Sequence, residues 1–293
     1  MWRMNTLTYM STRQRDILRI VPDLVAYRGL LRDVVWRELR ARYRNAMMGF
    51  LWAVVQPVMM MGILLLVFGY LLGDIMQARG IMLPSSERPS PVFLLCGLVP
   101  WQFLCAALAS GTNSLIESQE LIKKVYFPRE VIPLAAVINC LVSFVVGFVT
   151  LFVFLIAHDG VSALGLGIFY VPIVFAIQFA LIVGLALLLS ALNIHHRDVG
   201  YMVEVLLTFG LYATPIIYPL KMVPTLLHNN DTLFSIYMLN PMANLVTAYR
   251  QALLDNSFPD ALLLVRPAIA AILLLVIGAV VFRRNAPTFA DYL

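Results

Sequence analysis

The chain has 293 residues, of which 61% are hydrophobic and 13% charged, with a net charge of +5. That balance excludes an ordinary soluble domain and defines an all-α polytopic membrane protein. The excess of Lys and Arg lies near the ends of apolar runs and reports orientation rather than nucleic-acid binding. The three cysteines, Cys96, Cys105 and Cys140, fall inside those runs and read as small hydrophobes, not a disulfide framework.

The N-terminal segment, 1–49, carries Arg3, Arg13, Arg15 and Arg19 with no apolar core directly after them, so a cleavable signal peptide is not expected. Within it, residues 24–45 set Tyr27, Leu31, Val35, Leu39 and Tyr43 at four-residue spacing, beside a second row of Arg28, Arg32, Trp36, Arg40 and Arg44. This pattern predicts an amphipathic helix along the membrane surface, its arginines snorkelling to phosphate and Trp36 at headgroup depth; the alternative is a basic solvated helix.

Residues 50–282 form the expected transmembrane domain. Spans are predicted at 50–73, 91–116, 131–157, 168–192, 201–220 and 261–282, six in all, with a cytoplasmic tail at 283–293. A polar, Pro- and Ser-rich loop at 73–91 follows the first span, and Pro100-Trp101 predicts a kink or an interface anchor in the second.

Between spans two and three, Glu117 to Pro133 reads ESQELIKKVYFPREVIP, a short charged interruption. Ser114 and Glu117 fit a capping box, and Glu120 stands four residues before Lys124, the orientation that supports a helix. Leu121, Ile122, Val125 and Tyr126 fall on one side of it. Pro128 disfavours helical geometry at Phe127, so this helix is expected to end there and a new one to begin with Pro128 near its first turn. Such a stub across the base of two spans could pass a push from a soluble partner into the membrane. A solvated turn with lysines facing acidic lipid fits the same residues.

Later polar breaks are expected at 158–167 and at 193–200. Between spans five and six, Asn240-Pro241 predicts an N-cap followed by proline at the first helical position, and Met242, Leu245, Tyr249 and Leu253 recur at helical spacing. With Pro215 and Pro219 ending span five, this fits either re-entrant half-helices at the outer mouth of a pathway or a helix flat on the outer leaflet. A cytoplasmic N-terminus puts ten Lys and Arg before residue 50, three in the 117–133 stretch, one in the second small loop and two after span six on the inside, sixteen against five outside. The asymmetry predicts cytoplasmic termini.

Residues able to carry chemistry are few. Glu204 lies about one turn into span five, where a snorkelling or interface-paired carboxylate fits better than a proton relay, and Arg266 is placed similarly near the outer end of span six. His195 and His196 are adjacent, so they share no helical face, and no Cys or acid cluster completes a metal site; His158 and His228 are isolated. No phosphate-cradling glycine loop surrounds Lys123, Lys124 or Lys221, so any ATP used must be hydrolysed by another chain. Hydrolase-elbow and H-E-x-x-H patterns are likewise missing. Trp52, Phe68, Tyr70, Trp101, Phe103, Phe209, Tyr212, Tyr218 and Tyr249 collect on spans one, two and five and on the outer helix. An aromatic face suits sliding sugar rings; interface belts and helix packing use the same residues.

The runs GLVPWQF, LIKKVYFPREVIPLA, ALNIHHRDVGY, TPIIYPL, LNPMANLVTAYRQALL and FRRNAPTFAD resemble the membrane permeases of type 2 ABC polysaccharide exporters, the O-antigen and lipopolysaccharide exporters above all, with capsule and teichoic acid exporters as cousins. The resemblance extends from about Leu31 to the C-terminus; His195-His196 departs from its pattern. It implies a non-catalytic permease for a lipid-linked polysaccharide in the bacterial inner membrane, working as a homodimer with two ATPase subunits that bind the ATP and Mg²⁺, this chain holding no cofactor. It further implies a coupling element at Glu120, Lys123, Lys124, Val125, Tyr126, Phe127, Pro128 and Arg129, and an interface helix whose Trp36, Arg40, Arg42 and Arg44 meet anionic headgroups. A translocation path along Trp52, Phe68, Tyr70, Trp101, Phe103, Phe209, Tyr212 and Tyr218 and a periplasmic gate with Asn240, Pro241 and Tyr249 complete the expectation. The rival from another class is a membrane-embedded glycosyl- or acyltransferase, which needs a cluster of acids or histidines near one membrane face; a secondary transporter, which favours paired intramembrane charges or an internal repeat, fits less well.

Overall fold

The structure is a computed structural model describing residues 22, 26–44, 51–71, 90–125, 127–160, 165–227 and 230–292. Tyr126, His228, the N-terminal arginines up to Arg19 and most of the 73–91 loop lie outside the described residues, as do the side chains of Arg42 and Arg44.

Every regular element among the described residues is helical. In chain order they give α1 (Arg28–Arg44), α2 (Trp52–Leu64, extended by a π-helical stretch Leu65–Leu71), α3 (Pro91–Glu117), α4 (Gln119–Lys124), α5 (Val131–Asp159), a 3₁₀ turn Leu166–Tyr170 and α6 (Val171–His195). Then come α7 (Val199–Ala213), a 3₁₀ turn Leu220–Met222, α8 (Val223–Leu226), α9 (Asp231–Tyr237), α10 (Pro241–Leu253), α11 (Ala261–Asn285) and α12 (Phe289–Tyr292). Four of these, α3, α5, α6 with its leading turn, and α11, are long and apolar enough to cross a membrane. Helical backbone from Trp52 to Leu71 reaches about 30 Å at 1.5 Å per residue, near the hydrocarbon thickness. α7 is shorter than the expected span: its helix stops at Ala213, and Thr214 turns to extended geometry before Pro215.

Local sequence explains the ends. Ser90 accepts a hydrogen bond from the Phe93 amide at 3.1 Å and Pro91 occupies the first turn, so α3 starts where a Ser-Pro pair caps it. Pro100 is accommodated within a continuous α3, and Trp101 is 6% exposed, which corrects the expectation of an interface anchor there.

The most extensive helix pairing among the described residues joins α6 to α11. Gly184 and Gly278 make it possible: a Cβ on Gly184 would run into the backbone of Leu274 and Leu275, and one on Gly278 into the Gly184 carbonyl. Small residues facing each other let two apolar helices gain backbone-close dispersion contacts, the main attraction available between helices in lipid. Inside the bundle, Phe103, Phe144, Phe148 and Phe175 form a continuous aromatic cluster, with centroids of Phe103 and Phe144 at 4.8 Å and of Phe144 and Phe175 at 5.2 Å.

α1 packs along α5. Its most buried residue is Val34, at 4% exposure, flanked by the half-buried Leu30, Leu31, Val35 and Leu39, while Tyr27 is exposed. The inward face is therefore turned from the expected row, with Val34 rather than Val35 at its centre. Arg28, Arg32, Trp36 and Arg40 all face outward.

Candidate functional site

The C-terminal ends of α3 and α6 and the N-terminal ends of α5 and α7 share one end of the bundle, and α4 is placed there between α3 and α5. Glu117 ends α3, Ser118 kinks the chain with ψ of 17°, and α4 follows at once. Ser114 is not a cap. It lies inside α3 with its hydroxyl donating back to the Gly111 carbonyl at 2.7 Å, so the predicted capping box does not form. The Glu120–Lys124 pair does form, at 3.2 Å and fully in solvent, where such a pair contributes little stability.

α4 presents two faces. Ile122 is buried, with Leu121 half-buried beside it, in a cluster with Leu115, Phe127, Val131, Ile132, Leu187, Ala191, Ile194, Phe282 and Phe289. Glu120, Lys123, Lys124 and Val125 are exposed. Val125 therefore does not share the buried side with Ile122, because the helix ends at Lys124 and Val125 takes extended geometry. Pro128 lies just before α5, with its carbonyl accepting from the Val131 amide at 3.2 Å.

Two further members of the expected coupling set point inward. Phe127 is 2% exposed. Arg129 donates to the Ala286 carbonyl and sits over the Phe289 ring at 5.9 Å. Next to them, Arg283 Nε donates to Glu130 at 2.7 Å, with both side chains out of solvent. Sequence reasoning missed this pair, since Arg283 was counted only among the charges that set orientation. No local pattern signals it: Glu130 stands directly before α5 without its side chain capping that helix, and its cation comes from far along the chain.

The same end holds a polar bridge. α6 continues through Asn193 to His195, beyond the expected end of span four, and Asn193 is buried. Its Nδ2 donates to the Thr112 carbonyl at 3.0 Å and to Asn113 at 3.1 Å, and its oxygen accepts from the Gly200 amide at 3.1 Å. One side chain thus ties α3, α6 and the start of α7. His195 stacks edge-on against Tyr292 with centroids 4.6 Å apart, while His196 is exposed. No group of three or more metal-ligating side chains occurs among the described residues.

At the opposite end, Asn240 caps α10 as expected, accepting from the Met242 amide at 3.0 Å, and it also donates to Thr214 at 3.1 Å. α10 is enclosed by α3, α6 and α11. Tyr249 is fully buried and donates to Gln178 at 2.9 Å, whose amide donates in turn to the Pro100 carbonyl at 2.8 Å. Arg250, 7% exposed, donates to the carbonyls of Pro215 and Ile216, the latter at 2.6 Å, and to the Phe93 carbonyl at 3.3 Å. Its guanidinium also covers the Phe93 ring at 3.5 Å. An arginine stays charged at this depth, so the carbonyls of a non-helical turn replace the carboxylate it lacks. Tyr218 donates to the Tyr212 carbonyl at 2.8 Å and lies 3.4 Å from the Tyr237 hydroxyl. Burial first, then that contact, pushes the Tyr237 phenol well above the ordinary tyrosine range, so it stays neutral.

The aromatics divide. Trp101, Phe103 and Tyr249 are buried within the chain's own core; Trp101 packs so tightly on α7 that a Cβ at Gly210 would meet its ring at 2.7 Å. Phe68 and Tyr218 are half-buried. Trp52, Tyr70, Phe209 and Tyr212 are exposed, the last two on an α7 that also exposes Tyr201, Met202, Val205 and Leu206. Glu204 is exposed on the same helix, as is Arg266 on α11.

Long apolar helices with short polar joints, a charged stub at one end and a polar-locked turn at the other, define a multi-pass membrane protein. The family follows from comparison. A protein-family model described as ABC-2 type transporter matches residues 30–254, and the chain belongs to that family. It is 30% identical over 276 residues to the O-antigen export system permease protein RfbA of Myxococcus xanthus, covering 94% of this chain and 99% of the relative. A protein of the same name from Klebsiella pneumoniae is 26% identical over 90% of this chain and 95% of its own length. The polysialic acid transport protein KpsM of Escherichia coli is 22% identical over 84% and 90%.

Proposed function

We propose that this chain is the membrane permease of an ABC exporter that carries a lipid-linked, O-antigen-like polysaccharide out of the cytoplasm across a bacterial inner membrane. The observation that carries the reading is the near full-length similarity to an O-antigen export permease, 99% of the relative being covered. Two copies of this chain would pair with two ATPase subunits, which hold the ATP and Mg²⁺. α2 and α7 supply the fifth and sixth spans beside the four long ones, α7 through its turn at Thr214–Pro219, and both termini are cytoplasmic.

In this reading α4 docks into the ATPase through its solvent face, Glu120, Lys123, Lys124 and Val125, with Tyr126 beside them. Phe127, Arg129 and Glu130 act one step inward: they fix the stub to the bundle so that a displacement of α4 is passed on to α5 and α11. Trp36, Arg40, Arg42 and Arg44 meet the anionic headgroup of the lipid carrier at the cytoplasmic surface. Trp52, Tyr70, Phe209 and Tyr212 offer the glycan apolar platforms with polar tips, which let sugar rings slide without tight binding. The turn held by Arg250, with Asn240-Pro241 beside it at the start of α10, forms the outer gate.

The test is purification of the tagged chain from its host in mild detergent, wild type beside a triple variant with Lys123→Ala, Lys124→Ala and Tyr126→Ala. An ATPase subunit in a one-to-one ratio is expected with the wild type and not with the folded variant. A wild-type chain that purifies alone, under conditions that keep other transport complexes whole, overturns the reading.

A further inference from the structure

We propose that α12 is a positioning element that carries a displacement of α4 to the start of α7, Phe289 taking it from the stub and Tyr292 handing it to His195. The proposal rests on the exporter reading, in which a partner subunit moves α4.

The packing around the stub supplies the first half of this route. Beyond α3, which it directly follows, the helix that α4 packs on most among the described elements is α12. Phe289 is fully buried in the cluster that also holds Ile122 of α4. It is gripped from two further sides. Phe282 of α11 meets its ring edge-on with centroids 5.1 Å apart, and Arg129, just before α5, covers the ring at 5.9 Å while donating to the Ala286 carbonyl. A ring packed in this way has little free volume to absorb a push, so a shift of Ile122 is passed on to α12.

The second half runs from α12 to α7. Tyr292, at the end of α12, meets the His195 ring edge-on with centroids 4.6 Å apart, and α12 touches α6 as well as α4. His195 is the last residue of α6, and only His196, Arg197 and Asp198 separate it from Val199, where α7 begins. Just before it, Asn193 accepts from the Gly200 amide at 3.1 Å. A shift at His195 therefore reaches the first turn of α7 both through the short connection and through that hydrogen bond. α7 exposes Phe209 and Tyr212, so the route ends on the helix that offers its aromatics to the glycan. Contiguous packed side chains of this kind can couple two sites when one element moves. An edge-on aromatic pair biases an equilibrium by roughly two- to ten-fold. That is enough to set how well a movement is transmitted and too little to hold the fold, which separates the exposed Tyr292 from the buried Phe289.

The experiment compares the tagged full chain with Tyr292→Ala, Tyr292→Phe, His195→Ala and the double variant of Tyr292→Ala with His195→Ala. Three readings are taken: the ATPase subunit co-purified per chain, ATP hydrolysis by that complex, and polysaccharide at the cell surface at matched protein level. Tyr292 is exposed, so its loss should leave folding and co-purification as in the parent. Tyr292→Ala and His195→Ala are each expected to keep ATP hydrolysis at the parent level and to lower surface polysaccharide about five-fold. Tyr292→Phe, which keeps the ring, should match the parent, and the double variant should be no worse than either single one. Undiminished polysaccharide in Tyr292→Ala, an equal loss in Tyr292→Phe, or additive losses in the double variant overturns the proposal. So does a fall in co-purified ATPase or in hydrolysis that accounts for the lost export. A parent chain that brings down no ATPase sinks the exporter reading itself. A parent that brings it down and exports, beside a Tyr292→Ala variant that does the same, sinks only this proposal.

Discussion

Arg283 donates to Glu130 at 2.7 Å across 153 residues of sequence, in a region sealed by Phe127, Phe282 and Phe289. The bond joins the last long helix to the residue directly before α5, behind the charged stub. Removing one partner strands a buried charge, which costs about 3–5 kcal/mol, whereas an apolar replacement of both can be neutral. Glu130→Gln and Arg283→Met are each expected to lower the thermal midpoint in detergent, and the pair Glu130→Leu with Arg283→Met to recover most of the loss. A loss in the double variant equal to the sum of the two single losses would show that the two residues act independently.

The stub separates docking from anchoring. Lys123→Ala and Lys124→Ala change exposed side chains, so stability should move by no more than about 0.5 kcal/mol while ATPase co-purification is lost. Phe127→Ala empties a buried site and is expected to cost about 3–5 kcal/mol. Thermal melts run beside pull-downs separate the two outcomes.

The outer turn depends on one guanidinium. Arg250→Met removes the bonds to the Pro215, Ile216 and Phe93 carbonyls, and Arg250→Lys cannot reproduce their fork geometry. Ile216 is fully buried. A cysteine at that position should resist a membrane-impermeant thiol reagent in the parent chain and label in either Arg250 variant. Protection that persists in both would show that packing alone holds the turn.

Exposed and buried aromatics should fail differently. Phe209→Ala and Tyr212→Ala are expected to reduce surface polysaccharide at normal protein levels. Trp101→Ala and Phe103→Ala should reduce the protein itself, by loss of about 3–5 kcal/mol of packing. Immunoblotting of membranes beside glycan detection on whole cells gives both readings.

Close approach of α6 and α11 is the tightest steric demand in the bundle. Gly184→Leu or Gly278→Leu must push two backbones apart and should abolish accumulation of folded chain, whereas Gly62→Ala, where no atom lies within 4 Å of the added carbon, should be neutral. Size-exclusion profiles of the three variants make the comparison.

Composition and period determined the all-helical class, the starts of α3, α5 and α11, and the cap at Asn240, because these depend on neighbouring residues and on apolar length. The end of α7 was legible only in part: Pro215 disfavours helical geometry at Thr214, but the apolar run continues through Ile216 and Ile217 and carried the predicted span on to 220. The division of the aromatics was not legible, for Phe103 and Phe209 look alike in sequence. Which of them a neighbouring helix covers depends on rotation about the helix axis, and that is set by partners far along the chain.

The charged residues divide in the same way. Sequence alone decided that Lys123 and Lys124 belong to a polar stub, since two lysines between apolar spans have no buried alternative. Only the tertiary structure decided that Arg129, Arg250 and Arg283 turn inward, each to carbonyls or a carboxylate supplied by a distant segment. A cation's fate depends on whether the fold brings acceptors to it. That information is long-range, and no local pattern contains it.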